Sequence, residues 1–163
     1  MKILVTGGCG YKGSVLIPEL LKRNHEVISI DTKWFGDYLP NHENLKNLKI
    51  DIRDIENIPM QGVETIIHLA NIANDPAVEL SPSLSWEVNV LASQLLADKA
   101  ARNGVKHFIF ASSGSVYGIK DEDQVTEKLS LEPLTDYSKY KALCEEILVK
   151  NQTPEFETVI VRP

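Results

Sequence analysis

The sequence predicts a doubly wound α/β fold, a parallel sheet with helices on both faces. Two observations carry that prediction. Short apolar runs of strand length alternate with amphipathic stretches of helical spacing along the 163 residues. A glycine-rich turn, Gly7-Gly8-Cys9-Gly10-Tyr11-Lys12-Gly13, joins the first apolar run to the first amphipathic stretch. Right-handed crossovers between such strands give the order 3-2-1-4-5-6.

The elements follow in chain order. Lys2–Thr6 has the pattern of a buried strand. Ser14–Arg23 has helical spacing, with Val15, Leu16, Leu20 and Leu21 on one side. Glu26–Ile30 is the second strand, Leu48–Ile50 a short third and Thr65–Leu69 the fourth. Thr32–Asn44, with Trp34, Phe35, Gly36 and Pro40, reads as a long loop after the second strand. Pro82 to Arg102 contains a long helix with apolar Val88, Leu91, Leu95, Leu96 and Ala100, and Gly104 is its stop signal. His107–Ala111 is the fifth strand. Asp136–Lys150 is a helix with Asp136 as the expected N-cap, and Thr158–Val161 begins a sixth strand. Arg162 and Pro163 follow that strand directly, so the expectation is one domain over 1–163 with a C-terminal substrate domain missing.

Composition narrows the class. Hydrophobic residues make up 43%, enough for a real core. The formal net charge is -6 and no segment clusters Lys and Arg, which argues against a nucleic-acid partner. No apolar run approaches the roughly 18 residues of a membrane span. Lys2 followed by Ile3-Leu4-Val5 reads as a strand, not as a signal peptide. Cys9 and Cys144 stand far apart and make no disulfide framework, so the expected compartment is the cytoplasm. His25, His42 and His107 have no metal-ligand spacing with either cysteine, and no metal is expected.

Gly7, Gly10 and Gly13 recur every third residue between the first strand and the first helix. That spacing suits a tight turn, then a backbone that a pyrophosphate can approach, then close helix–sheet packing. Tyr11 and Lys12 open the helix, so their amides and the positive dipole end face the phosphates. This is the fingerprint of a Rossmann dinucleotide site. Asp31 ends the second strand, where a carboxylate accepts ribose hydroxyls and repels a 2′-phosphate. The expected cofactor is therefore NAD. Lys33 weakens the distinction, because a cation there can meet a 2′-phosphate.

Further motifs carry a resemblance. His68-Leu69-Ala70-Asn71 follows the fourth strand, Ser112-Ser113-Gly114-Ser115-Val116-Tyr117-Gly118 the fifth, and Tyr137-Ser138-Lys139-Tyr140-Lys141 opens the last helix. With Asp51-Ile52-Arg53-Asp54 and Asn89-Val90 they resemble the extended short-chain dehydrogenase/reductases, in particular the nucleotide-sugar epimerases and dehydratases. The resemblance spans essentially the whole chain. It implies that Asp51 and Ile52 hold the adenine, and that Leu69, Ala70 and Asn71 line the cofactor behind the phosphates. It implies that Asn89 supports cofactor and active site, and that Ser113, Tyr137 and Lys141 are catalytic, the last also holding the nicotinamide ribose. Gly114 and Ser115 stand where 4,6-dehydratases carry Asp-Glu, which argues for an epimerase or keto-reductase acting on a nucleotide-sugar substrate. It also implies a homodimer built on the helices around Asn89–Lys99 and Tyr137–Lys150. Lys12, Asn71 and the run Asn89-Val90-Leu91-Ala92-Ser93 depart from the usual family residues.

The chemistry suits the residue types. A phenol has a pKa near ~10 and is a poor base at neutral pH until a nearby cation favours the phenolate. Tyr137 and Lys141 are four apart, so a helix places them on one face. Ser113 would donate to the sugar oxygen whose proton Tyr137 takes. His68 reads as a packed residue, Cys9 as a small residue filling a tight turn, Cys144 as core and Trp86 as helix packing. Trp34 and Phe35 suit either adenine stacking or a partner, and Tyr117 either the substrate or the anchoring of its loop.

Overall fold

The computed structural model describes every residue, Met1–Pro163. Six parallel strands form one sheet in the order β3-β2-β1-β4-β5-β6, the doubly wound order expected. The strands are β1 Lys2–Thr6, β2 Glu26–Asp31, β3 Leu45–Lys49, β4 Thr65–His68, β5 His107–Ala111 and β6 Glu157–Val161. The helices are α1 Tyr11–Lys22, α2 Asp75–Leu80, α3 Pro82–Trp86, α4 Ala92–Arg102 and α5 Asp136–Lys150.

Both faces of the sheet are covered, which explains the unbroken apolar runs of its central strands. Successive β1 side chains alternate sides. Leu4 joins the larger core with Ile66, Leu96, Phe108 and Leu148, under α4 and α5. Ile3 and Val5 join the smaller core with Ile17, Leu20 and Leu21 of α1. Leu4, Val5 and Phe108 are fully buried, so truncating such a side chain costs ~2–5 kcal/mol. No helix is long and apolar enough to cross a membrane.

Four details differ from expectation. β3 lies at Leu45–Lys49, not Leu48–Ile50: it is an edge strand placed by pairing Val27–Asp31 with Leu45–Lys49, and its apolar run is too weak to mark it. α1 starts at Tyr11, because the glycine turn itself closes the first helical bond, from the Ser14 amide to the Gly10 carbonyl. The N-cap of α5 is Thr135, not Asp136: its hydroxyl accepts from the Ser138 amide at 3.2 Å and Ser138 Oγ accepts from the Thr135 amide at 3.0 Å. The expected helix from Pro82 to Arg102 does begin at Pro82, but a π-turn over Glu87–Leu91 separates it into α3 and α4, and the short helix α2 precedes it, set apart by the extended backbone of Ser81. A π-turn inserts one residue into the helical repeat, which periodicity averaged over the whole stretch does not reveal.

The sheet order reverses at β1, with β2 on one side and β4 on the other. In such sheets ligands settle in the crevice beyond the carboxyl ends of the strands at this switch. The glycine turn after β1, Asp31 at the end of β2 and Leu69 after β4 all stand at that edge.

Candidate cofactor and catalytic site

A cavity of about 820 Å³ opens along this edge, within the size range of cofactor sites. The structure brings nearly all the predicted residues to it. Gly7, Gly10, Tyr11, Lys12 and Gly13 line one wall, and Asp31, Asp51 and Ile52 one end. Leu69, Ala70 and Asn71 form the floor, and Tyr137 and Lys141 reach the same space. Trp34, Phe35 and Tyr38, all exposed, line it too, so the aromatics of the β2 loop face the cavity. Ser113 and Asn89 do not line it.

The glycine turn fits a dinucleotide. Gly7 has φ +71, and a Cβ there would lie 2.6 Å from the Ala70 amide nitrogen, so only glycine lets β1 and β4 close on each other. A Cβ at Gly13 would overlap the Gly8 backbone and push α1 off the turn. The N-cap, Gly10, offers no side-chain cap, which leaves the first amides of α1 available to an anion.

Asp31 braces the turn from β2. Its Oδ2 accepts the Cys9 amide at 3.1 Å and its Oδ1 the Lys33 amide at 2.6 Å. Lys33 Nζ meets Asp37 at 2.7 Å. The Cys9 thiol is pushed up to about 11 by burial, with the charges of Asp31 and Asp37 adding to the effect. It is therefore a small buried residue of the turn, not an activated thiol. Asp51 is held by Arg53 through Nε at 3.1 Å and Nη2 at 2.8 Å, and Arg53 keeps its carboxyl below the ordinary range.

Asn89 acts from behind the floor. It is buried in the π-turn, and its side-chain amide pairs with the backbone of Ile72. The Asn89 carbonyl accepts from Ser93 Oγ at 2.8 Å and from the Cys144 thiol at 3.0 Å. Ser93 thus spends its proton on Asn89 and accepts from His68 Nε2 at 2.8 Å. His68 Nδ1 then accepts from Thr6 Oγ1 at 2.6 Å, and Thr6 accepts the Ala70 amide at 3.1 Å. One hydrogen-bonded chain runs from Ala70 back to Ile72 and grips the floor on both sides of Asn71. Burial lowers the His68 pKa to about 3, with the Lys141 charge adding, so the imidazole is neutral and its tautomer is set.

The catalytic candidates meet at the other end. Lys141 is buried, and its Nζ donates to the Ala111 carbonyl at the end of β5, 2.7 Å away. It lies 4.7 Å above the Phe110 ring and 5.9 Å from the centre of the Tyr137 ring. Burial brings its pKa down to about 8, and Lys12 acts in the same direction. The Tyr137 phenol departs from the simple expectation of a lowered pKa. Burial holds it above its ordinary value, Ser113 pulls it down, and Asp75 pushes it up. Burial disfavours the phenolate by more than the Ser113 hydrogen bond favours it. Ser113 caps a short 3-10 turn over Gly114–Tyr117, its Oγ accepting from the Ser115 amide at 3.2 Å and hydroxyl at 2.9 Å. Its own proton is the one that favours the Tyr137 phenolate.

Three participants escaped the sequence reading. Glu145 is buried beneath Lys141 and accepts from Ser112 Oγ and from the Arg162 guanidinium. Arg162 also donates to the Tyr117 hydroxyl at 2.7 Å, so Tyr117 anchors its loop. Asp75 has a buried Oδ1 without a hydrogen-bond partner, and its charge reaches Tyr137. Only the i, i+4 spacing of Lys141 and Glu145 was a signal for the first.

The fold and its cavity define a dinucleotide-binding α/β protein of the Rossmann class, with a Tyr-Lys pair at one end of the cofactor cleft. The chain belongs to the NAD dependent epimerase/dehydratase family, whose sequence profile matches residues 3–163. It is 31% identical over 143 residues to a UDP-glucose 4-epimerase of Corynebacterium glutamicum, covering 86% of this chain and 44% of that protein. The UDP-glucose 4-epimerase of Thermus thermophilus, solved with NAD, superposes with TM-score 0.89 at 29% identity, over 99% of this chain and 54% of the other. A UDP-N-acetylglucosamine 4-epimerase of Methanobrevibacter ruminantium gives TM-score 0.88 at 29% identity, covering 99% and 54%. A dTDP-glucose 4,6-dehydratase of Streptomyces venezuelae, solved with NAD, is similar too, at TM-score 0.89, 28% identity and 99% and 55% coverage. The chain thus spans about half the length of the relatives it matches.

Proposed function

We propose that this chain is the cofactor-binding and proton-transfer half of an NAD-dependent epimerase acting on a nucleotide sugar, and that a substrate-binding segment accompanies it in the whole protein. The observation that carries this reading is that Tyr137 and Lys141 line the same cavity as the glycine turn and Asp31. Gly7, Gly10, Tyr11, Lys12 and Gly13 would hold the pyrophosphate, Asp31 the adenosine ribose, and Asp51 and Ile52 the adenine. Bound NAD supplies a reversible hydride acceptor for a sugar carbon. Tyr137 takes the proton of the sugar hydroxyl, and Ser113 donates to the same oxygen and steadies the charge that develops. Lys141, buried and cationic, favours the phenolate and orients the ribose. Gly114 and Ser115 offer no acid for water elimination, which favours epimerisation over dehydration.

A keto-reductase uses the same groups but consumes reduced cofactor, whereas an epimerase regenerates it. The test incubates the full-length protein with UDP- and dTDP-sugars and NAD, following products by NMR and cofactor by absorbance. Interconversion of two epimers without net NADH supports the proposal, and Tyr137→Phe abolishes it while still binding NAD. NAD binding without any product from the full-length protein overturns it in favour of a binding module. A homodimer belongs to the same proposal: Leu91, Leu95 and Val149 stay exposed on the α4–α5 side. Sedimentation of the wild type and of Leu95→Glu checks it, with a shift to monomer expected in the variant.

A further inference from the structure

We propose that Asp37 is a determinant of cofactor selectivity, because it occupies the ammonium of Lys33 and withholds it from a 2′-phosphate. The inference rests on the reading that this cavity takes a nicotinamide dinucleotide. NAD presents a neutral hydroxyl at the adenosine 2′ position, where NADP presents a phosphate that carries close to two negative charges. Asp31 alone disfavours the phosphate, but a free lysine two residues further on would offset that.

The geometry keeps that lysine occupied. The Lys33 amide is drawn onto Asp31 Oδ1 at 2.6 Å, and Lys33 has φ +59, a backbone conformation unusual for a lysine. Its neighbours Thr32 and Trp34 both line the cavity, so Lys33 belongs to the segment that borders the ribose end. Its Nζ is turned to Asp37 Oδ2, 2.7 Å away. An isolated surface pair of this kind is weak and readily exchanged. This one is anchored. Asp37 also accepts from the Asn47 side-chain amide nitrogen, shared between Oδ1 at 2.8 Å and Oδ2 at 3.0 Å, and from the Leu39 amide at 3.4 Å. The Cys9 thiol lies 3.7 Å from the same carboxylate. Asn47 stands in β3 and Cys9 in the glycine turn, so the carboxylate is tied to the sheet and to the phosphate cradle rather than to a free loop. Two carboxylates and one engaged ammonium leave the ribose end negative, which suits a hydroxyl and opposes a phosphate.

Removing the Asp37 charge frees Lys33. The test titrates NAD and NADP by calorimetry into the wild type, Asp37→Asn, Lys33→Ala and the double variant. In Asp37→Asn the ratio of the NADP to the NAD dissociation constant falls about tenfold, and added salt erodes the change. Adding Lys33→Ala restores the wild-type ratio. A ratio that stays put in Asp37→Asn, including the case where both affinities weaken together, overturns the proposal. So does a gain that survives Lys33→Ala. A wild type that binds neither dinucleotide sinks the cofactor reading itself, which keeps the two failures apart.

Discussion

Asn89 satisfies both backbone polar groups of Ile72: its Oδ1 accepts the Ile72 amide at 2.8 Å and its Nδ2 donates to the Ile72 carbonyl at 3.0 Å. A side-chain amide mimics a strand partner here, and it does so from inside a π-turn. The turn gives Asn89 this reach because its carbonyl is held by Ser93 and Cys144.

Asn89→Ala leaves an amide and a carbonyl without partners, each costing ~1–3 kcal/mol where water is excluded. The expected result is a lower melting temperature together with NAD binding weakened about tenfold, because the floor at Asn71 loses one of its two grips. Calorimetric titration checks it. Unaltered NAD affinity in the folded variant would show that Asn89 supports the helix alone.

His68→Phe tests the other grip. The ring keeps its place beside Phe108 and Phe110, whose centroids lie 5.7 Å from it, but Thr6 and Ser93 lose their shared partner. Faster hydrogen exchange at the Ala70 amide and weaker NAD binding are expected. Because His68 is neutral down to about pH 3, protonation of this residue causes no change in the wild type between pH 5 and 8.

Lys141 makes stability depend on alkaline pH. Its folded pKa, about 8, lies below the ordinary 10.5, so between those values the unfolded chain binds more protons than the folded one. Stability therefore rises with pH across that window, by at most roughly 3–4 kcal/mol at about 1.4 kcal/mol per unit. Denaturant titrations of wild type and Lys141→Met at several pH values isolate the effect, since the variant lacks that rise. Parallel curves would refute it.

Asp75 raises the Tyr137 phenol, so Asp75→Asn lowers it. Ultraviolet titration, with Tyr137→Phe subtracted, then shows the phenolate appearing at lower pH. In the active full-length protein the acidic limb of the pH–rate profile moves the same way. A shift upward, or none, means the carboxylate does not face the phenol.

Glu145 is the buried anion that Arg162 grips, and the pair ties β6 to α5 beneath Lys141. Glu145→Gln strands a guanidinium and is expected to cost ~3–5 kcal/mol, a fall of roughly 10 °C in melting temperature. Replacing both partners with methionine recovers much of the loss if the cost is that of an unpaired charge.

Much of this protein was determined by its sequence. Alternating strand and helix patterns set the parallel sheet and its order, since apolar period and right-handed crossover are local or chiral constraints. The glycine spacing, Asp31 and the Tyr137–Lys141 pair were legible because each depends on a few neighbouring residues. Tertiary structure decided the rest. The edge strand β3 exists through pairing with β2, and the π-turn at Asn89 through contacts with Ile72, Ser93 and Cys144. The grip of His68 on Thr6 and Ser93, the Glu145–Arg162 pair, and the turning of Lys33 toward Asp37 and Asn47 join residues by distance in space. The sign of the Tyr137 shift was decided there as well, because burial depends on everything packed around a phenol and not on the lysine one helical turn away.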